Sequence, residues 1–358
     1  MKVLVAGDGE VGHRIAEELM WRHDVTCLSE SSESIARLDR LDVKVVQGAL
    51  TSHDGLHSAG VDKTELFIAC TDSDEKNIVA CLAARRMGAG RTVCVLNRPG
   101  FFSIHDDEAL AESLGIDSVI RPAQQLADEI IRIVTVPGAL EVEDFLGGRI
   151  RLLRYAVEEH APITEGPLSS IKLPAHVGII LVMRGDQAIV PTGSTHIQAG
   201  DKVVAMGRWR PVQRLLLSYL RENVAGAEKR EATVIGAGTV GFLVARGLEE
   251  SRWKVKVIEK DAARCEEVAG QLKSLVLKGD GADLDLLEQE QIGSAPVLIA
   301  VADNDEKNLL VSLLAKQLGV KRIVTRATRL ANEYMFERVG IDVVRSARGA
   351  AVRSIVRG

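Results

Sequence analysis

The sequence predicts an α/β protein with two doubly wound parallel sheets, separated along the chain by a small α+β module. Three observations carry this. A strand-like run flows into a GxGxxG loop twice, at GDGEVG and at GAGTVG. Residues 66–91, LFIACTDSDEKNIVACLAARRMGAGR, recur at 297–322 as VLIAVADNDEKNLLVSLLAKQLGVKR. Between these landmarks, short apolar runs alternate with helically spaced segments, the pattern of strands and helices in a parallel sheet.

The repeat sets the domain plan. Asn308 minus Asn77 is 231, and Gly241 minus Gly12 is 229. VVQGAL at 45–50 returns as VLKGDG at 276–281. One unit of about 120 residues, ordinary for a single domain, thus occurs near 1–120 and again near 232–358. Within it, VLVAG is a buried strand closed by glycine. VGHRIAEELMWRH is a helix with Val11, Ile15 and Leu19 four apart. DVTCLS is the next strand. ELFIACTD is read as the third, ending at Asp72, with Asp303 at the same place in the second copy. The helix EKNIVACLAARRMG follows, stopped by Gly88, and RTVCVLN is a fourth strand. Asp74, Glu75, Asp305 and Glu306 read as helix N-terminal capping, and Lys76 and Lys307 as surface charges.

The middle differs in texture. RIRLLRYAVE, VGIILVMRGDQAIVP and GDKVVAMG are strand-like, and Gly185-Asp186 between apolar runs signals a hairpin. The expected plan is a first domain at 1–137 with an exit helix at 122–134, a small module at 138–208, a helical linker at 209–231 and a second domain at 232–358. The tail SARGAAVRSIVRG matches the exit helix PAQQLADEIIRIV, so no second small module is expected after it.

Composition excludes several classes. The chain has 358 residues, 46% hydrophobic, 27% charged and only 3% aromatic, so its cores are built from Val, Ile, Leu and Ala. That suits sheets covered on both faces. A net charge of -5 gives no electrostatic case for nucleic acid. No apolar run is long enough to span a bilayer, and MKVLVAGDG lacks a signal-peptide layout. Five cysteines without a CxxC pair read as buried, reduced thiols of a cytosolic protein.

The glycine loops carry the chemistry. In a Rossmann turn the first glycine permits the tight bend, the second lets the backbone approach a pyrophosphate, and the third lets helix and strand pack. The phosphates then meet the free N–H groups of a helix N-terminus. Gly7, Gly9 and Gly12 fill these places in the first copy, and Gly236, Gly238 and Gly241 in the second. A dinucleotide site also wants an acid at the end of the second strand for the ribose hydroxyls. Glu259 stands there, 18 residues past Gly241; the first copy has Ser29. Asp280 corresponds to Ala49, and Arg326 to Val95. The second copy is therefore the better dinucleotide site.

Together with VVQGALTSHDGL, TDSDEKNIVACLAAR, PGALEVEDFLGGRI, IVPTGSTHIQAGDKVV, GDGADLDLLEQEQI and IAVADNDEKNLL, these loops make the chain similar to the TrkA family. Its members are regulatory subunits of bacterial potassium uptake built from RCK (regulator of potassium conductance) domains. The resemblance covers essentially the whole chain. It implies RCK-N folds of Rossmann type around an RCK-C module, here without the final RCK-C. It also implies a cytosolic homo-oligomeric ring, a dimer or tetramer, peripheral on a Trk or Ktr-type membrane channel and gated by NAD(H) and by ATP or ADP. By position, Gly7, Asp8, Gly9, Glu10, Val11, Gly12, Thr71 and Asp72 match the family's first nucleotide site. Gly236, Ala237, Gly238, Thr239, Val240, Gly241, Glu259, Asp280, Ala302, Asp303 and Arg326 match the second. The helices at 122–134 and 346–356 correspond to crossover helices, with Pro137-Gly138 as a hinge.

The rival reading is an NAD-dependent oxidoreductase. It would need a positioned acid or base beside the nicotinamide. The eight histidines, His105 among them, show no partner pattern, and no tyrosine pairs with a lysine four residues on. Zinc spacing, a GxSxG elbow and a Walker lysine loop are all missing from the sequence, so no enzyme activity is expected.

Overall fold

A computed structural model describes residues 1–7, 9–98, 111, 113–185, 187–221 and 229–357. Asp8, Asp186, His105 and part of the expected linker, 222–228, lie outside the described residues. The chain divides into two compact units: 1–126 with 327–333 and 345–358, and 127–326 with 334–344.

The first sheet belongs to the first unit. Its strands and helices are β1 (Lys2–Ala6), α1 (Glu10–Leu19), β2 (Asp24–Ser29), α2 (Ser32–Leu38), β3 (Lys44–Gln47), α3 (His53–Ser58), β4 (Leu66–Ala69), α4 (Asp74–Arg86), β5 (Arg91–Val95) and β6 (Ser118–Ile120), followed by α5 (Pro122–Val134), which belongs to the second unit from residue 127 on. The order is β3-β2-β1-β4-β5-β6, and neighbouring strands run parallel. This is the Rossmann arrangement, in which the crevice opens where the order reverses, between β1 and β4. VVQ is a strand in its own right, β3, so the strand leading to Asp72 is the fourth in the chain, not the third. β3 is a short, half-buried edge with a charged first residue, too weak a pattern to be counted from sequence.

Residues alternate across this sheet with the period of two that strands impose. Leu4, Leu28, Phe67 and Cys94 face one core, with Cys81 of α4. Val3, Val5, Cys27, Ile68 and Val93 face the other, with Ile15 and Leu19 of α1. That second core is completed by Ala351, Val352 and Ile355 of the last helix, α12 (Ala347–Arg357).

The second unit holds the small module and the second sheet. The module consists of β7 (Ala139–Phe145), β8 (Ile150–Ala156), β9 (Val177–Arg184), β10 (Gln187–Ile189) and β11 (Lys202–Gly207), in the order β10-β9-β11-β8-β7 and wholly antiparallel. The β9–β10 pair is the expected hairpin, with Gly185 at φ +57. Helix α6 (Trp209–Leu215) runs on into a π-helical turn, Leu216–Leu220. This stretch was expected as linker. Instead Val212, Leu215, Leu216 and Leu220 are buried against Val142, Leu153, Tyr155 and Val203, so it is part of the module's core.

The second sheet repeats the first: β12 (Glu231–Ile235), α7 (Thr239–Glu250), β13 (Lys254–Glu259), α8 (Ala262–Ala269), β14 (Leu275–Lys278), α9 (Leu284–Gln289), β15 (Val297–Ala300), α10 (Asp305–Gln317), β16 (Arg322–Arg326), α11 (Leu330–Arg338) and β17 (Val343–Arg345), in the order β14-β13-β12-β15-β16-β17. Asp303 likewise follows a fourth strand, β15. Ile131 of α5 packs against Gly247 of α7, where a Cβ would lie 2.3 Å from its Cδ1.

The Pro137-Gly138 junction is tied down. The buried Arg322 guanidinium, at the start of β16, donates to the carbonyl oxygens of Val136 (3.1 Å), Ile133 (2.9 Å) and Ala139. It thereby satisfies carbonyls that the end of α5 leaves without helical partners. None of the five cysteines forms a disulfide, and all five are buried. Among the described residues no helix is long and apolar enough to cross a membrane.

Candidate nucleotide-binding crevices

In the second copy, β12 is followed by Gly236 at φ +97, a conformation that favours glycine. Its backbone lies so close to the end of β15 that a Cβ would sit 3.0 Å from Ala302 Cα. The helix α7 then starts at Thr239 with Gly238 as its N-cap. A Cβ on Gly241 would fall 1.9 Å from the Gly236 carbonyl oxygen, so the turn closes only with glycine there. The result is a cradle of backbone at a helix N-terminus, the geometry that receives phosphate.

The side chains around this cradle converge. Glu259 ends β13; one carboxylate oxygen accepts Ala237 N–H at 2.6 Å and the other accepts Asp261 N–H at 2.9 Å. The carboxylate therefore braces the glycine loop itself. Asp303, exposed at the mouth, pairs with Arg326 at 2.8 Å. Asp280 accepts Ala282 N–H and pairs with Lys307 at 2.7 Å, and this cation holds its carboxyl below the usual range. A crevice of about 380 Å³ results, lined among others by Gly236, Gly238, Glu259, Ala302, Asp303 and Lys307. Of the sequence-expected residues, Ala237 and Val240 have buried side chains. Only their backbone could meet a ligand.

The first copy keeps the turn and changes its surroundings. A Cβ on Gly7 would lie 2.7 Å from Cys70 Sγ, and one on Gly12 2.8 Å from the Gly7 carbonyl oxygen. Gly9 caps α1, whose first turn carries Glu10, ion-paired with Arg348 of α12. Asp72 lies next to Gly9. Ser29 is fully buried, and its hydroxyl accepts Ser31 N–H at 3.2 Å. The neighbouring Glu30 accepts Leu50 N–H and pairs with Lys76 at 2.8 Å. Val95, at the place of Arg326, is buried. The Glu259, Asp280 and Arg326 constellation has no counterpart here.

Residue patterns this specific can be compared with known proteins. The family model for the TrkA-N domain matches residues 3–122 and 232–347, and the model for the TrkA-C domain matches 152–217. The chain belongs to the TrkA family. The Trk system potassium uptake protein TrkA homolog 2 of Methanosarcina mazei is 36% identical over 369 aligned positions, spanning 100% of this chain and 80% of that protein. The TrkA homolog of Archaeoglobus fulgidus is 32% identical over 99% of this chain and 80% of its own length. Among solved structures, the GsuK RCK domain superposes with a TM-score of 0.68 at 21% identity, over 99% of this chain and 75% of that one. The GsuK channel bound to NAD gives 0.69 at 19% identity, over 99% and 62%. At such identities the structural likeness establishes the fold.

Several residues of this TrkA-family chain were missed by sequence reasoning. Helix capping falls to Ser73 and Asn304, whose side chains accept Lys76 N–H and Lys307 N–H. Asp74, read as a cap, instead accepts Asn97 N–H at 2.7 Å and Arg98 N–H at 2.9 Å, tethering the segment after β5. Asn77 and Asn308, both buried, tie neighbouring strand ends together. Asn308 accepts Ala302 N–H and donates to the Ala302 and Arg326 carbonyls. Asn77 does the same for Thr71 and Val95. Arg264 lines the second crevice, donating to the Ala237 carbonyl at 2.7 Å. The repeat of DEKN in both copies was the available signal for the asparagines; nothing local marked Arg264.

Proposed function

We propose that the chain is a non-catalytic, nucleotide-sensing regulatory subunit of a Trk or Ktr-type potassium uptake system. In this reading it assembles as a homo-oligomeric ring, dimeric or tetrameric, on the cytoplasmic side of an integral membrane partner. NAD(H) occupies the second crevice through Gly236, Ala237, Gly238, Thr239, Val240, Gly241, Glu259, Asp280, Ala302, Asp303 and Arg326. The first crevice, through Gly7, Gly9, Glu10, Val11, Gly12, Thr71 and Asp72, takes a nucleotide such as ATP or ADP. Asp8 belongs to that set by sequence alone.

The carrying observation is the Glu259 carboxylate, bonded to the loop N–H of Ala237 at the mouth of a glycine cradle. Its fit to a ribose diol beside a bound pyrophosphate follows from acceptor-only chemistry and position. Relatives named for potassium uptake and a GsuK channel bound to NAD support the same reading. A ligand moves a regulatory equilibrium only by binding two arrangements unequally. A crevice at the ends of β12, β13 and β15 can supply that difference without chemistry.

The test is thermal unfolding with NADH. Ligand at 100 times its dissociation constant stabilises by about 2.7 kcal/mol, and the gain should fall in Glu259→Ala. An NADH shift of equal size in wild type and variant would remove Glu259 from the site.

A further inference from the structure

Each crevice is bridged by a lysine–carboxylate pair, and the two copies take the acid from different places. In the second copy Lys307, in the first turn of α10, reaches Asp280 beyond β14 at 2.7 Å. Gly281, next to Asp280, packs on Ile235 at the end of β12, so the pair lies over the ends of β12 and β15, which are neighbours in the sheet. In the first copy Lys76, in the first turn of α4, reaches Glu30 beyond β2 at 2.8 Å, passing the end of β1. Asp280 corresponds to Ala49, and Glu30 corresponds to Lys260. The first copy lacks the acid after its third strand and carries one just after its second instead. The site acid, the arginine and the aspartate all differ between the copies; the bridge does not.

Helix stability does not explain these lysines. A cation in the first turn faces the positive end of the helix dipole and is disfavoured there. Nor do exposed ion pairs contribute much to folding. Lys307 lines the second crevice together with Gly236, Gly279, Gly281 and Glu259, so its side chain borders the space a ligand would enter. Both acids are held below their ordinary range with the lysine as the leading cause, so both carboxylates are ionised at neutral pH.

We propose that Lys307–Asp280 and Lys76–Glu30 are clasps across the crevice mouths, which a bound nucleotide must wait to see opened before it can leave. The clasp sets the exchange rate of the ligand. It rests on the nucleotide-binding reading above.

Stopped-flow displacement of NADH from the full-length chain tests it, with wild type, Lys307→Met and Lys307→Arg. Release should be about two- to fivefold faster from Lys307→Met and near the wild-type rate from Lys307→Arg. Raising the salt concentration should speed release from wild type and Lys307→Arg, because screening weakens an exposed pair, and leave Lys307→Met unchanged. Release from Lys307→Met at the wild-type rate, with NADH bound, overturns the clasp alone. No NADH binding by wild type overturns the nucleotide reading and the clasp with it.

Discussion

Replacing Asn308 by alanine is the sharpest probe of how the second crevice is held together. The amide is buried and makes three hydrogen bonds, at 2.9, 2.9 and 3.0 Å, to the backbone of Ala302 and Arg326. These are the residues at the ends of β15 and β16, and no neighbouring side chain can take over both roles of an amide, which accepts and donates at once. At about 1 kcal/mol net per bond, the substitution should cost about 3 kcal/mol. For a domain of this size that lowers Tm by roughly 10 °C. Asn308→Asp should be no better, since a carboxylate keeps the acceptor but cannot donate to the two carbonyls. Thermal and urea unfolding followed by circular dichroism measure the loss, and Asn77→Ala provides the matched control in the first copy. A cost below about 1 kcal/mol would refute the reasoning. It would mean that water replaces the amide and the strand ends do not depend on it.

Two further predictions concern the small module. Arg322→Met should destabilise the chain by about 3 kcal/mol, because a buried guanidinium serving three carbonyls is lost. Arg322→Lys should recover less than half of that, since one ammonium cannot reproduce the planar fork; urea midpoints decide. Asp201 titrates against opposing influences. Burial alone would raise its pKa, but the Arg184 guanidinium and Gln198 N–H outweigh burial and hold it below the ordinary value. A folded pKa below the unfolded one, about 3.9, contributes stability above that pH and loses it as pH falls through the folded value. The urea midpoint should therefore be flat in this respect from pH 7 to about 5 and fall below about 4. Arg184→Met should show a smaller fall across the acid range, and an equal fall would exclude the pair as its source.

Much of this architecture was legible because the chain states it twice. The glycine loops, the central strands and the long helices α4 and α10 carry strong local patterns, and each copy corroborated the other. β3 and β14 were lost because four half-buried residues at a sheet edge have no marked periodicity. The helix at 209–215 showed its apolar spacing, but what that face packs against is non-local information, so it was read as linker. At the site, Glu259, Asp280 and Arg326 could be placed by spacing from the loop. Their present partners could not: Glu259 on Ala237 N–H, Arg326 on Asp303 and Lys307 on Asp280 depend on side chains meeting from different strands.

The apolar contact of Ala351, Val352 and Ile355 with Val3, Val5, Ile15 and Leu19 has a consequence in time. The first sheet is synthesised first, yet one of its faces is finished by the last helix of the 358-residue chain. On a ribosome adding roughly 5–20 residues per second, that face stays open for tens of seconds after β6 emerges. Closing it then joins segments more than 300 residues apart, a contact of very high sequence separation and correspondingly slow formation. The core of the first sheet is therefore complete only once α12 has been made, and until then it presents unprotected Val and Ile side chains to the cell's quality control.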